Sequence, residues 1–388
     1  MAPLVVFLAG AHAQQPTADY RPIVDANTRF GLKIVRRSAP GLTKNEIVSP
    51  IALSSGFALL RNGANQQCAK EIGDTFEFGQ SPEQNVNTAY AALLGELLSR
   101  PPEIGSSSST TRSRNTDAGL KPNGLYLANS FWDIGGPQDF SQGFRDVNEH
   151  YYHAEVASLP YSRGAVTAIN KWAEDKSFGT IPQVVSSVAD DDFLFTSLLY
   201  FRNHWKQVFL SSDTHQADFT LLSGTTKPVQ MMKQSGHYMY EQTPEFEAIV
   251  LPYIDGRELY IFLPDKACSL RNFEATLTSE NWNKWTEAMT SREGTIELPK
   301  FRISSKVEAR ALLTELGAGC AFASLQAFNK AVPLVGATLT HAEQSSSLAA
   351  DELGGEAVVY TGVGGVIGGV PGGALPGYKP PPALSHDR

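Results

Sequence analysis

The chain has 388 residues, of which 42% are hydrophobic and 19% are charged, so it is long enough to bury a large core in one large domain or two ordinary ones. Its net charge of -8, without a long basic run, argues against nucleic acid as a partner, because a phosphate backbone requires clustered Lys and Arg. No apolar run is long enough to span a membrane, so we expect no membrane partner.

Residues 1–13 have the pattern of a short, partial signal peptide. Leu4 to Gly10 are nearly all apolar, and Ala11-His12-Ala13 fits a small-x-small cleavage site, although no basic residue precedes the apolar run. We therefore expect a secreted protein, either extracellular or periplasmic. The alternative is a disordered or buried N-terminus.

The three cysteines, Cys68, Cys268 and Cys320, are widely spaced and form no CxxC pattern. The odd number leaves at least one thiol free. One disulfide is possible, but the spacing does not identify the pair.

The first half of the chain is predicted to be mainly helical. A surface insert rich in Pro, Ser and Gly interrupts it at 101–123. The one early strand is predicted at 125–132. Apolar periodicity predicts helices at 23–37, 51–60, 83–98, 140–151 and 165–177.

The second half is predicted to be rich in strands. The nearly continuous apolar run 193–201 is typical of a strand covered on both faces. Segments 247–252 and 258–264 form a predicted hairpin around Asp255-Gly256, and 295–303 alternates as a further strand. A helix is predicted at 307–316, ending at Gly317. This separation of helices from strands favours an α+β fold.

The segment from Gly354 to Gly377 contains ten glycines interleaved with Val, Ile, Ala and Pro. Glycine loses the most conformational entropy on ordering, so composition alone predicts a disordered tail. The motifs that precede this segment suggest a different interpretation.

Short motifs occur in a consistent order from residue 45 to residue 357. They are 45–50 (NEIVSP) followed by Gly63-Ala64, 127–132 (LANSFW), 151–155 (YYHAE), 169–172 (INKW), 198–205 (LLYFRNHW), 229–232 (VQMM), 251–253 (LPY), 263–264 (LP), 298–301 (LPKF), 316–322 (LGAGCAF) and 351–357 (DELGGEA). Together they resemble the serpin family of serine protease inhibitors, over about four fifths of the chain.

The resemblance implies an α+β serpin fold with three β-sheets, eight or nine helices and an exposed reactive-centre loop at about 354–380, all in a single domain of residues 14–388. It implies an inhibitor and not an enzyme, without catalytic residues, cofactor or metal, and we expect a monomer. A serine protease would cleave the loop and form an acyl-enzyme. The cut loop would then insert as an extra strand and trap the protease.

The hinge of this loop is implied to be Gly354, Gly355, Glu356, Ala357, Val358, Val359, Tyr360 and Thr361. On insertion, Gly355, Ala357, Val359 and Thr361 would face the core, while Glu356, Val358 and Tyr360 would face outward. Family inhibitors usually carry Thr or Ser in place of Gly355, and smaller residues in place of Val358 and Tyr360.

Family spacing places the bait bond near Gly368-Gly369, and the candidate scissile region comprises Val366, Ile367, Gly368, Gly369 and Val370. No Lys or Arg occurs in the loop before Lys379. An elastase-like or subtilisin-like target is therefore favoured over a trypsin-like one, whose specificity pocket requires a cation.

The resemblance also implies a sheet-opening region formed by Ser49, Ser54, Asn170, Ser197, Trp205 and Gln344. The family usually has serine, asparagine and histidine where this chain has Ala52, Ser197 and Gln344. The chain ends at His386-Asp387-Arg388, which resembles the start of a segment leading into two core strands, so we expect a C-terminal truncation that lacks the last core strands.

The sequence leaves two alternatives to an inhibitor. An enzyme is disfavoured because GxSxG, HExxH and GxxxxGK[ST] patterns are lacking, and His150 with His153 resembles a surface pair more than a metal site. A non-inhibitory serpin with a carrier, chaperone or storage role, or an inactive truncated serpin that is merely cleaved, is the stronger rival. A gain in thermal stability on loop cleavage would distinguish an inhibitor from a static serpin.

Overall fold

The computed structural model describes residues 5–9, 19–38, 44–98, 121–135, 140–189, 191–265 and 269–368. The α-helices within these ranges are α1 (Arg21–Ser38), α2 (Pro50–Arg61), α3 (Gln66–Thr75), α4 (Glu83–Leu98), α5 (Gln142–Tyr152), α6 (Arg163–Lys176), α7 (Leu270–Ala275), α8 (Ser279–Ala288), α9 (Ala309–Leu313) and α10 (Cys320–Ala323). None of the helices described is long and apolar enough to cross a membrane.

The strands in the same ranges form two six-stranded sheets. They are β1 (Val5–Ala9), β2 (Gly124–Ile134), β3 (Glu155–Leu159), β4 (Phe193–His204), β5 (His215–Thr220), β6 (Thr226–Gln242), β7 (Phe246–Pro252), β8 (Glu258–Pro264), β9 (Thr290–Pro299), β10 (Phe301–Glu308), β11 (Ala337–Ala350) and β12 (Gly354–Ile367). The central sheet has the order β10-β11-β12-β4-β2-β3, and the second sheet has the order β1-β8-β7-β6-β5, with β9 also paired to β6.

The α+β class is confirmed, but the described strands form two sheets where the resemblance implied three. The reason is the length of β6, which has 17 residues. Its first part pairs with β5, its last residues pair with β7, and β9 pairs along most of its length. One strand thereby joins two groups of strands into a single hydrogen-bonded sheet.

Local sequence signals account for much of this architecture. The run 193–201 is buried throughout as part of β4, because helices cover both faces of the central sheet. Ser49 caps α2 by accepting a hydrogen bond from the backbone N–H of Ala52, and Pro50 occupies the first turn, where its missing N–H is not needed. The hairpin of β7 and β8 turns through Gly256, which has a left-handed φ of 84°.

Other elements differ from the sequence-based expectation. The predicted strand 295–303 is divided at Lys300 between β9 and β10, which belong to different sheets. The predicted helix 307–316 is a short α9 followed by a π-helical turn, Thr314–Ala318, inside which Gly317 departs from helical geometry with a φ of 117°. Helices α3, α7 and α8 and strand β11 were not predicted. Most of the predicted insert 101–123 lies outside the described residues.

The central sheet lies between two helical layers. Helix α2 packs behind β4 so closely that a Cβ on Gly56 would lie 2.4 Å from a ring carbon of Phe195. Helix α6 covers the opposite face, where Trp132 and Trp172 meet edge to face. A strand in the middle of this sheet is therefore buried on both faces, which restricts the side chains that it can carry.

The segment 354–367 does not have the conformation expected of an exposed loop. It forms β12, the third strand of the central sheet, antiparallel to both β11 and β4. Two neighbouring strands satisfy its backbone hydrogen-bonding groups, and its small and aliphatic side chains pack between the helical layers. The remainder of the expected loop, from residue 369, lies outside the described residues.

Strand β1 lies within the segment predicted as a signal peptide. It pairs antiparallel with β8 at the edge of the second sheet, with Val5 opposite Phe262. This pairing does not test cleavage or secretion, so the signal peptide stays a prediction. The residues 386–388 on which the expected truncation rests lie outside the described residues.

A disulfide joins Cys68 on α3 to Cys320 on α10, with a Cα–Cα distance of 5.6 Å and a sequence separation of 252. The distance lies in the range that disulfide geometry requires. The pair that the sequence left open is therefore Cys68–Cys320 in this structure, whereas Cys268 lies outside the described residues.

We predict that C320A lowers the free energy of unfolding by roughly 2–5 kcal/mol, because the cross-link restricts a long loop in the unfolded chain. Urea unfolding of the oxidised protein measures the effect. C268A is the matched control and should leave the unfolding midpoint unchanged. An equal midpoint for wild type and C320A without reductant would show that the disulfide does not form.

Candidate functional site: the inserted strand and its contacts

The candidate site is the position of β12 between β11 and β4. Its register runs from Gly354, opposite His204, to Gly365, opposite Phe193. On the other side, Gly355 lies opposite Ala350 and Ile367 opposite Ala337. In this structure the predicted hinge is therefore already inserted as a strand of the central sheet.

Side chains of β12 alternate between the two faces of the central sheet, as strand geometry requires. Ala357, Val359 and Val363 belong to the large core cluster that contains α2. Val358 and Tyr360 belong to the cluster beneath α6.

The expectation that Val358 and Tyr360 face outward is wrong. They are only 3% and 2% exposed, because α6 and the segment after it cover that face. Their bulk contributes apolar burial to the inserted state and does not obstruct it.

Gln344 connects three elements at the middle of the inserted strand. Its side-chain oxygen accepts a hydrogen bond from the backbone N–H of Ser49 at 2.6 Å. Its amide nitrogen donates to the Ser49 carbonyl at 3.2 Å and to the Thr361 hydroxyl at 2.9 Å. Because Gln344 is fully buried, these contacts satisfy polar groups that have no access to water. His341 lies three residues earlier on the same strand, opposite Gly364.

The other predicted sheet-opening residues lie at separate places. The Ser197 side chain is buried on β4, in register with Thr361. Ser54 lies on α2 and accepts a hydrogen bond from the Tyr90 hydroxyl, away from Gln344. Asn170 on α6 holds the segment after that helix by accepting from the backbone N–H groups of residues 184 and 185. The structure therefore brings Ser49, Ser197 and Gln344 close to β12, but not Ser54 or Asn170.

Trp205 lies where the inserted strand begins. Its indole N–H donates to the carbonyl of Asp351 at 2.9 Å, and its backbone N–H donates to the carbonyl of Leu353 at 2.9 Å. The indole stacks on Tyr253, with ring centroids 4.5 Å apart. A Cβ on Gly355 would lie 2.6 Å from the Tyr253 hydroxyl, so this ring occupies the space that a threonine or serine at 355 would need.

Glu356 faces the α6 side and is the one charged residue of β12. Lys121 approaches its carboxylate at 2.8 Å, and the Tyr200 hydroxyl donates to it at 3.1 Å. Burial acts to raise the pKa of Glu356, but the hydrogen bond and charge of Lys121 prevail and lower it. The hinge can therefore insert with its carboxylate ionised.

The far end of β12 is fastened to the start of β4. The backbone N–H of Asp192 donates to the carbonyl of Gly365 at 2.9 Å, and the Asp192 carboxylate accepts from the backbone N–H of Ile367 at 2.7 Å. Val366 pairs with Thr338, and Gly368 leaves the sheet with a left-handed φ of 64°. Of the candidate scissile region, Gly369 and Val370 lie outside the described residues.

His341 lies on β11 opposite Gly364, near the end of the inserted strand. Burial lowers its pKa to about 4, and the charges of Lys306 and Arg310 act in the same direction. Its Nδ1 lies 3.5 Å from a carboxylate oxygen of Asp191. Because burial dominates, the inserted state holds this imidazole neutral at physiological pH.

No group of three or more His, Cys, Asp or Glu residues is placed to hold a metal within the described ranges. His153 caps the end of α5 in a left-handed conformation with a φ of 49°, which gives it a local structural role. His150 lies one turn earlier, beside Tyr151.

A sequence model of one family, described as Serpin (serine protease inhibitor), matches residues 25–388. The chain is a serpin. Serpin B6 of Pongo abelii is 26% identical over 354 residues, which cover 87% of this chain and 88% of that relative. Alpha-1-antiproteinase of Rattus norvegicus is 27% identical over 359 residues, which cover 90% of this serpin and 81% of that relative.

Solved structures share the fold of this serpin. Reactive-loop-cleaved human thyroxine-binding globulin superposes with a TM-score of 0.78 at 21% identity, covering 90% of this chain and 99% of that one. Ovalbumin from emu (Dromaius novaehollandiae) also gives 0.78 at 21% identity, covering 90% and 91%. At this identity the similarity establishes the fold alone, and it confirms the predicted serpin fold.

Sequence reasoning missed Tyr253, Asp191 and Asp192 as residues that contact β12. Tyr253 lies in the LPY motif and was available as a signal. The two aspartates directly precede the buried run of β4. Nothing in the neighbouring sequence indicates that they contact a segment more than 170 residues later in the chain.

We predict that Q344A destabilises the loop-inserted form by roughly 1–3 kcal/mol, because it leaves the buried polar groups of Ser49 and Thr361 without partners. Urea unfolding of that form measures the change. Q326A removes an exposed glutamine and should have little effect. Equal midpoints for Q344A and Q326A would contradict this role.

We predict that the inserted form loses stability as pH falls from about 6.5 through 4. Burial lowers the pKa of His341 to about 4 in the inserted form, so a state that exposes the imidazole to solvent binds a proton at a higher pH. Acid therefore favours states in which His341 is exposed. Thermal unfolding at successive pH values should show a smaller loss for H341Q than for wild type. Parallel curves for the two proteins would contradict the assignment, since both carry the same charged neighbours, Asp191, Glu343, Lys306 and Arg310, around residue 341.

Proposed function

We propose that this serpin inhibits a serine protease as a suicide substrate. The protease serine attacks a carbonyl in the loop, forms an ester and releases the new amino terminus. The N-terminal side of the cut loop then takes the position of β12 and carries the acylated protease with it. Distortion of the protease prevents water from hydrolysing the ester.

The observation that supports this proposal most is the fit of β12 between β11 and β4. It pairs along both edges, and the side chains directed towards the α2 core are uncharged. Burial of Val358, Val359, Tyr360 and Val363 contributes roughly 1.5–3 kcal/mol for each side chain. This gain gives insertion a driving force from residues that a loop would expose to water.

The proposed target is an elastase-like or subtilisin-like protease. The chain has no Lys or Arg from residue 354 to residue 378, so a trypsin-like specificity pocket would find no cation there. The aliphatic and small residues of this segment suit a small or apolar pocket.

We also propose that the protein is secreted. The apolar segment within residues 1–13 supports this localisation, and so does the Cys68–Cys320 disulfide, because disulfides persist mainly in oxidising compartments.

The remaining alternatives are a non-inhibitory serpin and an inactive serpin that is merely cleaved. A serpin of the first kind would present a loop that never inserts productively. Cleavage of an inhibitory serpin leads to a covalent complex and a more stable fold, whereas cleavage of either alternative does not lead to a covalent complex. One experiment therefore separates the inhibitor from the alternatives.

We predict that mixing the protein with an elastase-type or subtilisin-type protease gives a band at the summed mass on a denaturing gel. T361R should be cleaved without this band, because residue 361 is fully buried beside Gln344 and an unpaired cation there prevents insertion. L353R is the matched control, since Leu353 is exposed in the turn before β12, and it should retain the band.

Cleavage of the wild-type loop by both proteases without the summed band would refute the inhibitor proposal. If the cleaved protein also gained no thermal stability, a static or inactive serpin would be the conclusion. Sequencing the released C-terminal peptide identifies the scissile bond in either case.

A further inference from the structure

The glycines of β12 contact the protein so closely that they have no room for a side chain. None of Gly354, Gly362, Gly364 and Gly365 has a left-handed φ, so backbone conformation does not require glycine at these positions. What they share is a neighbouring atom within 3 Å of the place that a Cβ would occupy. The nearest atoms to Gly362 belong to Tyr360 on the same strand, whereas those near Gly354, Gly364 and Gly365 belong to other segments. For these three glycines the need is one of space that arises when the segment is inserted.

Gly365 has the constraint that is hardest to relieve near the end of the strand. A Cβ there would lie 2.3 Å from the backbone carbonyl oxygen of Thr338 and 2.4 Å from a ring carbon of Phe193. The Thr338 backbone belongs to β11, so it cannot move without disturbing the ladder between β11 and β12. Phe193 is buried among aromatic side chains and has little freedom to turn.

Gly364 meets side chains and not backbone. A Cβ there would lie 2.2 Å from Cε1 of His341 and 2.3 Å from Oδ1 of Asp191. The buried imidazole lies over the strand with Asp191 beside it. This constraint can be relieved by removing the imidazole, which leaves space into which the Asp191 carboxylate can move.

The strand is anchored immediately after these two glycines. Asp192 bonds to the backbone of Gly365 and Ile367, so the anchor forms only when the strand has reached its full depth. A side chain at 364 or 365 would hold the end of the segment out of the sheet and away from Asp192.

We propose that Gly364 and Gly365 are positioning residues that decide whether insertion runs to completion. This inference rests on the proposed inhibitory function, and it adds that the trap depends on the last residues of β12 as well as on the hinge. In an exposed loop neither glycine meets these neighbours, so substitution leaves the bait available to the protease.

The test uses four full-length variants: G365A, G364A, the double variant G364A/H341A, and G294A as the matched control, which adds the same methyl group to a glycine of β9 with no atom within 4 Å of the added Cβ. Each is mixed with the elastase-type protease. The loop-cleavage rate, the ratio of trapped to released protease and the shift in melting temperature on cleavage are measured.

We expect G365A to be cleaved at the wild-type rate, with a ratio of trapped to released protease lower by roughly five- to a hundredfold, because an extra methyl group is overpacked in a closed core. Its melting temperature should rise less on cleavage than that of wild type. G364A should show the same defect to a smaller degree, and G364A/H341A should recover part of it. G294A should match wild type.

The outcomes separate the two proposals. If wild type traps protease and G365A traps it equally well, the glycine inference is wrong and the inhibitor proposal stands. If wild type is cleaved without trapping but gains stability that G365A lacks, the inhibitor proposal is wrong and the glycine inference stands. If wild-type cleavage brings no gain in stability, both fall, because both require insertion.

Discussion

The structure depends on the pairing of one strand, β12, along both of its edges. A strand in the centre of a sheet has no edge open to solvent, so every backbone group must find its partner in β4 or β11. The helical layers of α2 and α6 then impose a second condition, because neither face is open to water. A segment can occupy this position only if its backbone, its side-chain sizes and its charges all satisfy a closed environment.

Three polar residues on β11 and β12 meet the conditions of this closed environment in different ways. Gln344 reaches across from β11 to bond both Ser49 and Thr361, so that α2, β11 and β12 are joined by a single amide. Glu356 remains ionised because Lys121 and Tyr200 meet its carboxylate. His341 is buried in the neutral form. Buried polar groups that are paired in this way favour one register of insertion, since a shift by one residue would separate each of them from its partner.

The glycines have a different meaning in the two conformations of this segment. In an exposed loop they supply flexibility, and composition alone predicts a disordered tail. In the central sheet they supply room for Tyr253 beside Gly355, for His341 and Asp191 beside Gly364, and for the β11 backbone beside Gly365. A glycine-rich sequence therefore serves both a bait that a protease can reach and a strand that can be buried.

The sequence by itself determined the elements whose signals are local. Apolar continuity specified β4, Ser49-Pro50 specified the start of α2, and Asp255-Gly256 specified the hairpin between β7 and β8. The order of the motifs specified the serpin fold. Only the tertiary structure decided the rest. Strand β11 carries the buried polar run from Glu343 to Ser347, which lacks the hydrophobic pattern of a strand and becomes one only between β10 and β12.

The pairing of Cys68 with Cys320, the burial of Val358 and Tyr360, and the contacts of Gly364 and Gly365 were likewise decided only by the tertiary structure. They have one physical cause. Each depends on which distant segment lies across the sheet or beside the helix. Local propensity and periodicity carry no information about partners that lie far away in sequence.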